Sequence, residues 1–183
     1  GSIYENQRLD KFLKGFSYFI NKEKITNCKL VFLGSEKRVI HDKSGLYKNI
    51  RKDVLNKIPK NFVSFIPRVP RNEVLFWLSQ ASVLLHISYN DEYGRIGGKF
   101  FDYVGASKPI FVQSNGPCLI SEIVRDNGLG EISKSVDQTV LLLNKLYKNW
   151  EKGTHIDPAN ENSKKFSRFE QTKVLAELIK AFK

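Results

Sequence analysis

In the segment EYGRIGGKFFDYVGASKPIFV, residues 92–112, two glycines, a lysine and an aspartate stand close together: Gly97, Gly98, Lys99 and Asp102. In this order these residue types can hold an anion beside a diol. Glycines ahead of a helix let a ligand approach the backbone closely. The unsatisfied N–H groups of the first turn and the helix dipole both favour negative charge there. Lys99 puts a cation where the dipole alone would favour an acid, and a bound anion resolves that conflict. Asp102, one turn on, accepts two hydrogen bonds of the kind a ribose diol donates. Phosphate over the glycines and lysine, with ribose on the aspartate, is nucleotide geometry. The spacing is neither the G-x-x-x-x-G-K-[ST] loop nor a G-x-G-x-x-G turn after a first strand. The plain alternative is a loop-to-helix junction with Lys99 and Asp102 in solvent.

The elements around this stretch determine which side of the fold it faces. Leu9, Phe12, Leu13, Phe16, Phe19 and Ile20 recur at helical spacing. KLVFLGS (29–35) reads as a buried strand. Residues 46–58 form a helix pattern with Tyr47, Ile50, Val54 and Ile58 on one face, stopped by Pro59. FVSFIP (62–67) is the next strand. Residues 70–82 form a helix with Val74, Leu75, Leu78 and Ala81 inward, and VLLHIS (83–88) is a third strand. The glycine–lysine helix follows, then the strand PIFVQS (109–114). Pro117 suits the first turn of a helix through Ile120, Ile123 and Val124. GLGEIS (128–133) reads as a short, weak strand. Residues 136–150 align Val136, Val140, Leu143, Tyr147 and Trp150. A long amphipathic helix from about Asn162 carries Phe166, Phe169, Leu175, Leu178 and Phe182. Short apolar strands alternating with helices predict an α/β domain, a doubly wound parallel sheet of five or six strands with helices on both faces. Ligands of such sheets bind beyond the carboxyl ends of the strands, which is where residues 97–102 would lie.

Composition narrows the remaining choices. The chain has 183 residues, 41% of them hydrophobic, enough for one domain with its own core. No run approaches the roughly 20 apolar residues that span a bilayer, and no secretory signal opens the chain. Gly1 and Ser2 read either as a cloning scar or as a turn after a strand lying upstream. With no initiator methionine, the chain reads as part of something longer. Cys28 and Cys118 have no metal or CxxC spacing and read as reduced thiols of a cytoplasmic protein. His41, His86 and His155 are scattered, and His86 reads as a satisfied core or strand-end residue. The net charge of +11 admits nucleic acid, an anionic membrane face or a phosphorylated ligand as partner. The lysines are dispersed and the aromatics lie in apolar patterns, which argues against nucleic acid and for a solvated surface. A basic module binding polyanions non-catalytically is nonetheless the rival from another class.

GGKFFDYVGASKPIFV resembles the K-hydrophobic-F-E-Y-hydrophobic-A-x-x-K-P signature of retaining GT-B-fold glycosyltransferases of the group 1, family 4-like type. GSIYENQRLDKFLKGF is similar to the start of that family's C-terminal domain, and KLVFLGS, FVSFIPRVPRNEVLFWLSQASVLLHIS, ISEIVRDNGLGEI and FSRFEQTKVLAELI follow its order. The resemblance implies a Rossmann-like half of a GT-B fold, residues 1–183 being a donor-binding domain whose N-terminal partner domain is absent. It implies a nucleotide-sugar donor, with the diphosphate near Gly97, Gly98, Lys99, Gly1 and Arg8. It puts the ribose on Asp102, the base near Arg68 and Val69, and the donor sugar on Glu92, with Asp91 as the alternative. The family has glutamate where this chain has Asp102, and spaces its two acids eight apart, not ten. No metal and no cofactor is implied, and no DxD-type site is present. The acceptor would be a glycan or a lipid-linked carrier in bacterial surface polysaccharide synthesis, with part of the basic charge serving peripheral contact with an anionic membrane. A GT-B-fold sugar-nucleotide epimerase is the rival within the fold, although its catalytic acids and histidines find no match.

Overall fold

The computed structural model describes residues 7, 9–34, 57–88, 96–114, 116, 118–154 and 161–182. Its strands are β1 (Leu30–Leu33), β2 (Val63–Ile66), β3 (Leu84–Ile87), β4 (Ile110–Gln113) and β5 (Gly130–Ser133). Its helices are α1 (Asp10–Lys22), α2 (Arg71–Gln80), α3 (Gly98–Gly105), α4 (Leu119–Asp126), α5 (Val136–Glu151), α6 (Glu161–Lys164) and α7 (Arg168–Ala181). A 3-10 turn, Lys60–Phe62, leads from Pro59 into β2. The helix expected over residues 46–58 falls, except for its last two residues, outside the described residues.

All pairings among the described strands are parallel, as expected of an α/β fold. Among the described residues the strands form two ladders: β1 with β2, and β3–β4–β5 in that order. Leu30 pairs with Val63, Leu84 with Ile110, and Ile110 with Gly130. Glycine is required at position 130, because a Cβ there would lie 2.0 Å from the Ile110 carbonyl oxygen. That close approach explains why β5 reads as a weak strand.

Alternation along the strands sends residues to two cores. Phe111 faces α1, and its ring meets Phe12 edge-on at 5.5 Å between centroids. Phe12, Leu13, Phe16, Phe19 and Ile20 of α1 share that core with Leu146 of α5 and with Phe62 and Ile87. Ile110 and Val112 point the other way, onto Phe100 and Val104 of α3 and Ile120 and Val124 of α4. Helices therefore cover both faces, and the doubly wound reading holds.

Three local expectations are corrected. Leu75, expected inward on α2, is 49% exposed, and Leu78 is the buried residue of that helix. On α5 the aligned residues Val136, Val140, Leu143 and Tyr147 are only half-buried and Trp150 is exposed. Thr139 and Leu146 are the buried pair, because α5 meets α1 where Gly15 lets the backbones approach. Thr139 Oγ1 lies 3.0 Å from Gln113 Oε1 and 2.8 Å from Ser133 Oγ, and Gln113 Nε2 donates to Ser133 O at 3.1 Å. This network satisfies three buried polar side chains at the ends of β4 and β5. The third correction concerns the closing helix, which breaks in two. Ser167 caps α7 by accepting from the Glu170 amide at 3.2 Å, the S-x-x-E arrangement of a helix start.

The aromatic residues of the closing segment differ widely in exposure. Phe166 packs edge-on against Phe100, at 6.3 Å between centroids. Phe169 is 75% exposed and Phe182 90%, and α7 buries none of its described residues. Its exposed Val174, Leu175, Leu178 and Ile179 extend that apolar surface. Large exposed apolar patches on a protein surface commonly mark a contact site.

The crossing of α1 and α5 gives a test with an informative sign. A Cβ on Gly15 would lie 2.5 Å from both Cβ and Cγ2 of Thr139. Helix propensity alone predicts that Gly15→Ala stabilises α1 by about 1 kcal/mol. Overpacking reverses this, and the variant should instead lose about 1–3 kcal/mol, read from urea unfolding. Gly97→Ala, whose Cβ meets nothing within 4 Å, should leave the unfolding midpoint nearly unchanged.

Candidate functional site

The site lies where β2 and β3 end. The turn after β2 carries Arg68 and Val69 into α2, and α3 begins after β3 with Gly97 at its N-cap position. Lys99, Asp102, Arg68 and Val69 line one cavity of about 1030 Å³. Four residues read from the sequence as ligand-facing are thus brought together, two from the turn after β2 and two from α3. Gly97 and Gly98 are exposed at the start of α3. Neither is required to be glycine by the protein itself. Gly97 has ordinary extended angles, and a Cβ on either residue would enter open space. The N-cap of α3 is Gly97, which has no side chain to accept from the first-turn amides. Gly1, Arg8, Asp91 and Glu92 lie outside the described residues, so the expected diphosphate and sugar contacts there have no structural counterpart to report.

Asp102 is held in a way that the sequence did not indicate. Its two carboxylate oxygens accept from Arg71 Nη1 at 2.7 Å and Nη2 at 2.5 Å. The fork-shaped guanidinium fits a carboxylate in this two-bond arrangement, and hydrogen bonding to Asp102, then its charge, raises the Arg71 pKa. The pair ties the first turn of α2 to α3. Asp102 retains acceptor capacity beside a two-bond partner, because a carboxylate offers about four lone-pair positions. The argument made for Lys99, a cation in a helix's first turn, applies equally to Arg71 and could have found it.

Lys99 is exposed as a residue, yet desolvation of its ammonium group lowers its pKa. Its charge also acts on His86, which lies on β3 with Ser88 just beyond it on the same face. Both are buried, and His86 Nε2 and Ser88 Oγ have no hydrogen-bond partner among the described residues. The expectation of a core or strand-end His86 is right about burial and wrong about satisfaction. Each unpaired buried polar atom costs about 1–3 kcal/mol, a cost usually tolerated where function requires it. Burial, and then Asp102's charge, pushes the Tyr103 phenol up to about 12, so it stays neutral beside the carboxylate. Among the described residues no cluster of histidine, cysteine or acids could hold a metal ion, and no helix is long and apolar enough to cross a membrane.

The arrangement is therefore a cationic, partly desolvated edge: one ammonium, two guanidinium groups, an uncapped helix start and an oriented carboxylate. It can bind a phosphorylated ligand that also offers hydroxyl groups. The fold matches that of sucrose-phosphate synthase from Thermosynechococcus elongatus with a TM-score of 0.60, at 11% identity over 94% of this chain and 43% of that one. It also matches WaaG, described as a glycosyltransferase involved in lipopolysaccharide biosynthesis, with a TM-score of 0.55, at 17% identity over 90% of this chain and 42% of that one. The chain thus spans less than half the length of either protein. No protein-family model and no curated protein sequence matches it. At these identities the likeness establishes the fold, the Rossmann-like α/β architecture of GT-B glycosyltransferases expected from the sequence.

His86 makes the edge pH-sensitive. Burial first, and Lys99's charge second, lower its pKa from 6.5 to about 4. Between these values the unfolded chain binds a proton that the folded chain refuses. Stability is therefore complete above about pH 6.5 and falls as pH drops toward 4, by at most about 3 kcal/mol from this group. His86→Asn should flatten the stability profile across that window relative to the wild type, as measured by urea unfolding at about pH 7 and about pH 4.5.

Proposed function

We propose that this chain is the donor-binding half of a retaining GT-B glycosyltransferase, which moves a sugar from a nucleotide sugar to a glycan or lipid-linked acceptor. The observation that carries this reading is the convergence of Lys99, Asp102, Arg68 and Val69 on one cavity at the carboxyl edge of the sheet, beside the uncapped start of α3. Brought to this chain, the involvement of WaaG in lipopolysaccharide biosynthesis supports a bacterial surface polysaccharide as product.

In this reading the diphosphate sits against the Gly97 and Gly98 backbone and the Lys99 ammonium, with Gly1 and Arg8 completing that side. Asp102 accepts from the ribose hydroxyls while Arg71 fixes its orientation. Arg68 and Val69 border the base, and Glu92 faces the sugar. Cleavage of the donor leaves negative charge on the departing diphosphate. A cation and amides already aimed at that position stabilise the charge without reorganising, which is where electrostatic catalysis acts. The acceptor and the remaining catalytic groups belong to an N-terminal domain, so this chain alone binds donor and does not turn it over. The exposed apolar face of α7 fits such a partner domain. The excess of basic residues fits peripheral contact with an anionic membrane, which preferential flotation with anionic over neutral liposomes would register.

Titration calorimetry with nucleoside, nucleoside diphosphate and sugar nucleotide tests the assignment. A hydrogen bond to a charged group contributes about 1.5–3 kcal/mol, so Lys99→Ala should weaken diphosphate binding roughly tenfold to a hundredfold. It should leave the bare nucleoside nearly unaffected. Asp102→Ala should weaken both ligands, and Arg71→Ala should do so more mildly by releasing Asp102. Wild-type affinity for the diphosphate in both Lys99→Ala and Asp102→Ala would reduce residues 97–102 to an ordinary helix start. Tight, salt-sensitive binding to any polyanion would favour the non-catalytic module instead.

A further inference from the structure

Arg71 stands where its own helix gives no reason for a cation. It is the first residue of α2, at the positive end of the helix dipole, and Glu73 in the same turn already answers that dipole. What holds Arg71 is Asp102 on α3, which accepts from Nη1 at 2.7 Å and from Nη2 at 2.5 Å. The Arg71 side chain is 64% exposed and that of Asp102 24%. Even in two-bond geometry, a pair this open to water is screened and contributes only modestly to stability. Fastening α2 is therefore a poor reason for it. Its position offers a better one, because Arg71 and Asp102 both border the cavity that Arg68 and Lys99 also border.

The pair answers two kinds of ligand in opposite ways. To a bare phosphate it is a dipole and not a charge, since the repulsion of the carboxylate offsets most of the attraction of the guanidinium beside it. Two N–H donors of Arg71 are also committed to Asp102. Arg71 thus adds to the anion-binding edge only what Asp102 leaves of its charge. To a hydroxyl group the same carboxylate is an acceptor, kept ionised by its charged partner. Of its roughly four lone-pair positions, about two remain, in directions that the rigid fork of Arg71 fixes. Neighbouring hydroxyls of a sugar ring have protons to donate there. An ionised phosphate oxygen has none.

We infer that the Arg71–Asp102 pair is the specificity filter of this site, a conclusion that rests on the donor-site reading above. The filter admits a phosphorylated ligand that carries a vicinal diol and turns away bare phosphates and other polyanions. Lys99 and the start of α3 attract the phosphate. Asp102 requires the diol, and Arg71 is a positioning residue that acts through Asp102. An edge rich in cations is thereby made to prefer one class of anion over the rest.

Calorimetry on the whole chain, with inorganic pyrophosphate and with ADP, GDP and UDP as probes, tests the filter. Asp102→Asn keeps the size of the side chain and removes its charge. It should tighten pyrophosphate binding at least about threefold, because a repulsion is lost and Arg71 is released. The same variant should weaken the best-bound ribonucleotide by about threefold to tenfold. A merely structural pair would not move the two ligands in opposite directions. Adding Arg71→Ala to Asp102→Asn should return pyrophosphate to near the wild-type affinity, and the gain in the single variant should shrink as salt is raised. Arg71→Lys keeps the charge and loses the fork. It should leave pyrophosphate as in the wild type and give up part of the preference for the ribonucleotide over its 2′-deoxy form. Pyrophosphate affinity unchanged or lowered in Asp102→Asn, with Lys99→Ala still weakening the ribonucleotide, would overturn the filter and leave the donor-site reading standing. No nucleotide binding by the wild type, or unaltered binding of every probe in Lys99→Ala, would overturn both.

Discussion

A parallel strand covered by helices on both faces has nowhere to place its amides and carbonyls except on a neighbouring strand, because water reaches neither side. The layout of this protein follows from that constraint. β4 meets it on both edges, with β3 and β5 as partners, and its residues are the most completely buried of any strand. Where backbone pairing ends, side chains take over, as Gln113, Ser133 and Thr139 do where β4 and β5 end beneath α5. Among the described residues β1 and β3 each meet it through one ladder, with β2 and β4 respectively.

The same arrangement produces the cationic edge. Parallel strands end together, so the loops that follow β2 and β3 and the helices that they begin lie side by side. Residues separated by 31 positions, Arg71 and Asp102, become bonded neighbours only because both helices start from one edge. Helix starts also carry uncovered N–H groups. An edge with several such starts attracts anions before any lysine or arginine is added, and Lys99, Arg68 and Arg71 strengthen what the backbone already favours.

Burial sets the chemistry of that edge. His86 is neutral because the sheet and the nearby ammonium both oppose its protonation. Tyr103 keeps its proton for the same two kinds of reason, with the opposite sign of neighbouring charge. The result is one set of groups that carry fixed charge toward the cavity and another that stays neutral behind them. A ligand with two or more negative charges would meet concentrated positive potential and little competing protonation.

The amino-acid sequence by itself determined the kinds and order of elements. Apolar spacing around Phe12, Phe16 and Phe19, the short runs at 30–33, 84–87 and 110–113, and the glycine stop at Gly34 are local signals that act over a few residues. They sufficed to call for a doubly wound sheet and to put Gly97, Gly98, Lys99 and Asp102 on its ligand side. Tertiary structure alone decided which faces and atoms find partners. Leu75 points outward and Thr139 inward because α2 and α5 are rotated by what they pack against, and Gly15 fixes the second rotation. His86 Nε2 lacks a partner among the described residues, and Asp102 has one in Arg71, for a reason that no local pattern encodes. A hydrogen bond between distant segments depends on how strand ends and helix starts are juxtaposed, and that juxtaposition exists only once the sheet has formed.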